Sequence, residues 1–238
     1  MNSSNISSII KRPLPNAVTY DLTSRDCVTI TLPPQSTWTS GLHWHQDHEE
    51  YLKVVQGSIH VVLGDEEFIV SATAAHQPEI KVPRYAWHSW RRAEADGDEV
   101  IVVERTDPVD LKKAVFFWNL NGVILDAPAL DARLSMLPSR LRALVMDFWI
   151  TLSLFVIFHH LDNFPVFVNV PALLDRFLPS LKTWHAASRA GKWLDWAVTR
   201  ASLWLAACLG RILGVTPVQR RYTPASIYER WRNQDKLA

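Results

Sequence analysis

Between residues 26 and 105 apolar and polar positions alternate over short stretches, and turn residues separate them. Residues 27–32 (CVTITL) alternate and stop at Pro33-Pro34. Residues 51–55 end before Gly57, and residues 59–63 run into Gly64-Asp65, a strong turn signal. Residues 68–70, 80–82, 88–90 and 100–104 complete at least seven candidate strands. Short strands at this density, with no helical period between them, predict a sandwich or barrel.

After Asp107-Pro108 the period changes, and the chain reads as helical nearly to its end, with seven of the eleven Trp from Trp118 onward. Ser139 precedes a long apolar run over 141–160, and Pro165, Pro171 and Pro179 punctuate the next stretch. A second long helix is predicted over 181–213, broken near Gly191, with Trp193, Trp196, Ala197, Trp204, Ala207 and Cys208 forming a bulky apolar stripe. A membrane span needs about 20 apolar residues. The run over 143–158 is shorter and contains Asp147, while Asp195, Arg200 and Arg211 interrupt the second helix. These helices are therefore expected to bury their faces on the barrel or in a homodimer, or to make peripheral membrane contact through their Trp-rich side. Residues 219–238 form a polar, basic-aromatic tail, and there is no internal repeat.

The Ser-rich start lacks the apolar core of a signal peptide and predicts a poorly ordered, cytosolic N-terminal arm over 1–24. Without secretion, the glycosylation-like Asn2-Ser-Ser and Asn5-Ile-Ser are chance matches. The expected organisation is this arm, a β-barrel over 25–107 and a helical, Trp-rich extension over 108–238. A hydrophobic share of 48% against 21% charged residues excludes global disorder. The net charge of +1, with no basic stripe, argues against nucleic acid as a partner. Two distant cysteines, Cys27 and Cys208, fit a reducing, cytoplasmic setting. No Gly-rich dinucleotide fingerprint, P-loop or nucleophile elbow occurs, so no nucleotide cofactor is implied.

The chemistry concentrates in Gly41-Leu-His-Trp-His-Gln-Asp-His-Glu-Glu-Tyr-Leu-Lys-Val-Val-Gln-Gly57 and Pro83-Arg-Tyr-Ala-Trp-His88. In a strand, His43 and His45 project from one face, because side chains alternate with period two. Imidazoles with a carboxylate suit a divalent transition metal, and a strand face built only for packing rarely carries several ionisable groups. Parity places Glu50 with Leu52 and Val54, and Glu49 with Lys53 on the other face. His60 has opposite parity to Ile59, Val61 and Leu63 and is expected to face outward.

Gly41, His43, His45, Glu50 and Gly57, followed by Pro83 and His88, resemble the two motifs of the cupin superfamily, of the single-barrel cupin-2 type. The resemblance implies an all-β jelly-roll (cupin) barrel in which His43, His45, Glu50 and His88 hold one metal inside the mouth; its spacing also favours Glu50 over Glu49. Three positions depart from the pattern. Tyr85 stands where a glycine is usual and Arg92 where an asparagine is frequent, and Gln77-Pro78 replaces a Gly-Asp turn. The barrel followed by a helical extension resembles a subgroup described as cupin-domain oxidoreductases beside fungal polyketide synthases. The implied protein is a metal-dependent oxidoreductase acting on a small hydrophobic, oxygenated metabolite, with Fe(II) favoured and Zn, Mn, Ni or Cu as alternatives. Tyr85 and His48 are candidate acid–base residues beside the metal, His48 from an exposed loop. A redox-neutral isomerase or cyclase, and a ligand-binding barrel without turnover, are the alternatives.

Overall fold

The structure, a computed structural model, describes residues 6–24, 26–177 and 185–235. Strands β1 (Ile9–Arg12), β2 (Val18–Asp21), β3 (Cys27–Leu32), β4 (His43–Trp44), β5 (Glu49–Gln56), β6 (Ser58–Leu63), β7 (Glu66–Ser71), β8 (Glu79–Val82), β9 (His88–Arg92) and β10 (Val100–Asp107) come first. Helices α1 (Lys112–Leu125), α2 (Ala127–Arg133) and α3 (Ser139–His160) follow, then β11 (Phe164–Pro165), α4 (Val170–Phe177), α5 (His185–Leu213) and α6 (Ala225–Asp235). Two antiparallel sheets, ordered β1-β2-β3-β10-β5-β8 and β11-β4-β9-β6-β7, face each other as a jelly-roll barrel.

The predicted alternation becomes the inner face. Val28, Ile30 and Leu32 of β3, Leu52 and Val54 of β5, and Val100 and Val102 of β10 are buried. β5 lies directly on β10, pairing Leu52 with Glu104 and Glu50 with Thr106, so two acids join this inward face. Gly57 closes the β5–β6 turn at φ +76°, where a Cβ would stand 2.9 Å from Val100 Cγ2.

The helical extension completes the core. Val115, Phe116, Phe117 and Trp118 of α1, with Ile157 and Leu161 at the end of α3, join the barrel interior in one apolar cluster. Each large apolar side chain buried this way contributes about 1.5–3 kcal/mol. α5 and the turn after it pack on α3, with Ala206 and Val215 against Leu152 and Val156. Gly210 permits the close approach, since a Cβ there would lie 2.6 Å from Val156. On the outer side, Leu144, Phe148, Trp204, Leu205 and Ile212 are exposed. α3, at 22 residues, is long and apolar enough by length and composition to cross a membrane, which corrects the shorter span read from residues 143–158. Its inner positions Leu152, Ser153, Val156 and Ile157 are nevertheless buried in this fold.

Other expectations need correction. The supposed poorly ordered arm forms β1 and β2, because β2 pairs with β3 and buries Val18 and Tyr20; residues 1–5, with Asn2-Ser-Ser and the asparagine of Asn5-Ile-Ser, lie outside the described residues. α5 runs unbroken through Gly191, which instead admits Pro171 of α4 at 3.2 Å from an added Cβ; residues 181–184 of the predicted helix lie outside the described residues. β11, inside a stretch read as helical, joins the barrel by pairing with β4.

Candidate metal centre

β4 and β9 place His43 directly opposite His88, and His45 follows on the face of His43. β5 contributes Glu50, the buried member of the Glu49-Glu50 pair; Glu49 faces Lys81 at 2.8 Å on the outside. One ligand atom from each of His43, His45, Glu50 and His88 lies within 4.8 Å of the others, and all four residues are buried. The imidazoles are oriented alike. Nδ1 of His43 meets the carbonyl of Gly41 at 2.8 Å, that of His45 the carbonyl of Asp162 at 2.5 Å, and that of His88 the carbonyl of Ala86 at 3.0 Å. A ring nitrogen facing a carbonyl carries the proton, so all three Nε2 lone pairs face the centre.

This arrangement fits a cation. His45 Nε2 is buried without a hydrogen-bond partner, and the Nε2 lone pair of His88 faces a carboxylate oxygen of Glu50 at 3.0 Å. Burial, with His88 and His45 alongside, drives the His43 pKa well below its usual value, so that ring stays neutral as a ligand must. Burial opposes charge on Glu50, but the Lys113 ammonium beside it holds its carboxyl well below the usual range.

Two further residues build the centre, and neither was legible as a site residue. Lys113 of α1 ion-pairs with Glu50 and, at 2.9 Å, with Glu104, whose other oxygen accepts from Trp90 Nε1 at 2.8 Å. Burial opposes the ammonium, yet Glu104 and Glu50 raise its pKa, while burial raises that of Glu104. The only trace of Lys113 in the sequence is helical spacing, i to i+3 and i+4, to the apolar pair Phe116 and Phe117. Asp162, at the end of α3 with φ +56°, grips the ligand loop. Its carboxylate accepts the backbone N–H of Gln46 at 2.8 Å and of Asp47 at 3.0 Å, and bonds His48 Nδ1 at 2.6 Å. No local pattern in the sequence marks it.

His48 is buried, contrary to the exposed loop position expected of it. It lines the cavity, but its second nitrogen meets Asp110 at 2.9 Å, so both ring nitrogens are engaged by carboxylates. Burial opposes its charge, but Asp110 and Asp162 outweigh that and raise its pKa to about 9. Tyr85 is not brought to the centre. It is exposed at φ +63°, the left-handed backbone natural to the glycine expected there, and lines a separate cleft of about 570 Å³ with Trp44, Trp87, Trp193 and Trp196. Arg92 lies away from the cavity lining too, donating to the carbonyls of Leu32, Glu94, Gly97 and Asp98. His60 faces outward beside Glu67, as its parity requires.

A cavity of about 360 Å³ opens onto His43, His45 and Glu50. Phe116, Phe117, Leu120, Leu154 and Phe158 form its apolar wall, and Arg12 and Lys113 supply positive charge. Fold and site define a jelly-roll barrel whose buried quartet of three histidines and one glutamate can bind a metal. No protein-family model matches the chain, and no curated protein matches it. Among solved structures, the capsular polysaccharide assembling protein CapF from Staphylococcus aureus is similar at 15% identity, covering 42% of this chain and 28% of that one, with a TM-score of 0.33. A cupin 2 domain-containing protein from Halorhodospira halophila matches at 20% identity over 34% of this chain and 50% of its own, with a TM-score of 0.29. KdgF from Halomonas matches at 20% identity over 40% of this chain and 86% of its own, with a TM-score of 0.31. The match spans under a third of CapF and half of the Halorhodospira protein.

Proposed function

We propose that this protein is a metal-dependent cupin oxidoreductase acting on a small, apolar, oxygenated metabolite of the polyketide type. The observation that carries the metal reading is the common orientation of His43, His45 and His88, each pinned through Nδ1 so that Nε2 converges with Glu50. These four residues would hold one divalent ion. When bound, Fe(II) supplies redox chemistry with dioxygen, whereas zinc, manganese or nickel supplies Lewis acidity. The apolar wall of Phe116, Leu120, Leu154 and Phe158 accepts the body of the substrate and displaces water from the mouth. The family likeness of the sequence supports the oxidative, secondary-metabolite assignment.

A redox-neutral isomerase or cyclase is the second reading. The buried ammonium of Lys113 beside Glu50 favours it, since fixed positive charge stabilises an anion formed without loss of electrons. The exposed apolar residues Phe148, Trp204 and Ile212 support peripheral contact with a membrane, or a covering second copy.

The test is elemental analysis of anaerobically purified protein beside a His43→Ala/His45→Ala variant, followed by oxygen-uptake screens. About one iron per chain, lost in the variant, together with dioxygen consumption, is the expected result. Zinc or nickel at that stoichiometry without oxygen uptake favours the isomerase or cyclase. No metal after reconstitution leaves a ligand-binding barrel and overturns the proposal.

A further inference from the structure

The metal cavity pairs a largely apolar wall with two cations, Lys113 and Arg12. Lys113 is inserted by α1, the helix that closes the barrel, and reaches its interior beside Glu50. An ammonium has three N–H donors, and Glu50 and Glu104 engage two of them. Arg12, on the edge strand β1, lines the same cavity and makes no ion pair among the described residues. Lys113 flanks an aromatic pair of the same wall. Tyr20 and Phe117 have ring centres 4.7 Å apart, and Lys113 Nζ lies 5.9 Å from the centre of the Phe117 ring.

Other charges along the wall are already matched: Lys112 with Asp47 at 2.8 Å, and His48 between Asp110 and Asp162. A cation bound by the quartet would draw Glu50 toward itself and leave Lys113 with Glu104 as its remaining partner. The cavity then holds uncompensated positive charge inside an apolar wall, an environment that an anionic ligand relieves and a neutral one does not. One spare N–H on Lys113 serves a single oxygen, and the planar guanidinium of Arg12 matches a carboxylate better than it matches an alcohol or ketone.

We infer that Lys113 and Arg12 form a carboxylate-binding subsite, and that the substrate of this cavity is an apolar organic acid. The inference rests on the metal-dependent reading of the same site. Its test uses octanoate and 1-octanol as probes, equal in chain length and different in charge, titrated into the full chain by calorimetry, with metal content measured on the same samples. Octanoate is expected to bind about tenfold or more tighter than octanol, as charge-assisted hydrogen bonds in a dry cavity require. A Lys113→Met/Glu104→Gln variant removes both members of one ion pair, and its expected octanoate-to-octanol ratio is near one, with octanol binding retained. Arg12→Gln, at the edge strand, is expected to lower the ratio several-fold and remains informative if the double variant does not fold.

Equal affinity for the two probes in the parent, or an unchanged ratio in either folded variant, overturns the subsite. Metal bound with no preference for octanoate sinks the subsite and leaves the metal centre standing. A preference for octanoate without any metal sinks the metal centre and leaves the subsite.

Discussion

The backbone carbonyl of Asp162 accepts a hydrogen bond from Nδ1 of His45 at 2.5 Å, joining residues 117 positions apart in the chain. This contact makes the helical extension part of the metal centre. β11, just after Asp162, pairs Phe164 with Trp44 and Pro165 with His43, so the same turn also backs the strand that carries His43 and leads into His45. Outer partners of this kind fix ring orientation, and losing them typically costs about 10–100-fold in metal affinity. Asp162→Ala keeps the carbonyl but releases the N–H groups of Gln46 and Asp47 and the ring of His48. A fall in zinc affinity in that range, read by chelator competition, is expected, with the barrel's circular dichroism retained. Unchanged affinity would show that the ligand loop holds itself.

Removing Lys113 alone leaves Glu50 and Glu104 facing each other in the core. Breaking a buried ion pair this way costs about 3–5 kcal/mol. Metal-free Lys113→Met is therefore expected to melt well below the parent. Zinc should then raise the Tm of the variant more than that of the parent, because the ion neutralises the Glu50 carboxylate that lost its partner. Thermal melts with and without zinc read both effects, and equal metal-induced shifts would contradict this pairing.

His48 gives stability a defined pH dependence. Its pKa rises from 6.5 to about 9 on folding because Asp110 and Asp162 outweigh the burial that opposes its charge. A raised folded-state pKa means that the contribution is complete below pH 6.5 and disappears as pH climbs through 9. The loss is on the order of 2 kcal/mol. Urea denaturation of metal-free protein between pH 6 and about 9.5 should show this decline. A His48→Gln variant should show a flatter profile; an equally steep one would assign the decline to other groups.

Gly122 and Tyr222 are in contact across α1 and the segment before α6, and a Cβ at Gly122 would fall 2.3 Å from the Tyr222 ring. Gly122→Ala is expected to destabilise by about 1–3 kcal/mol through overpacking. Tyr222→Ala in the same background should recover part of that loss, with denaturant midpoints as the readout. Additive effects of the two changes would mean that the ring moves aside freely.

The outer face of α3 and α5 supplies a separate prediction. Trp204→Glu/Ile212→Glu is expected to reduce co-sedimentation with phosphatidylcholine vesicles several-fold, since both side chains are exposed on one apolar helix. If the parent does not sediment with vesicles at all, the face is not a membrane contact. A change of oligomeric state in the variant would then identify it as an interface between copies.

The barrel was legible in the sequence because it depends on strand parity; of the quartet, parity gave the pairing of His43 with His45 and the choice of Glu50, while His88 came from the family resemblance. Alternation over β3, β5, β6 and β10 fixes which side chains point inward, and the same rule brings His43, His45 and Glu50 together and turns Glu49 and His60 away. Local spacing likewise announced α3, a helix of 22 residues. Four decisions belonged to the tertiary structure alone. β1 and β2 are too short and polar to declare themselves, and they become strands because β3 offers an open edge. Tyr85 reads as a group at the mouth, but its left-handed backbone turns it to another cleft. His48 reads as a loop residue until two carboxylates from distant segments, Asp110 and Asp162, enclose it. Lys113 carries no site signature in the sequence; the apolar face of α1 docks and carries it into the barrel. Periodicity reports how a side chain points from its own backbone. Which distant segment it meets is decided by long-range packing, and in this protein that packing supplies the charges around the metal centre.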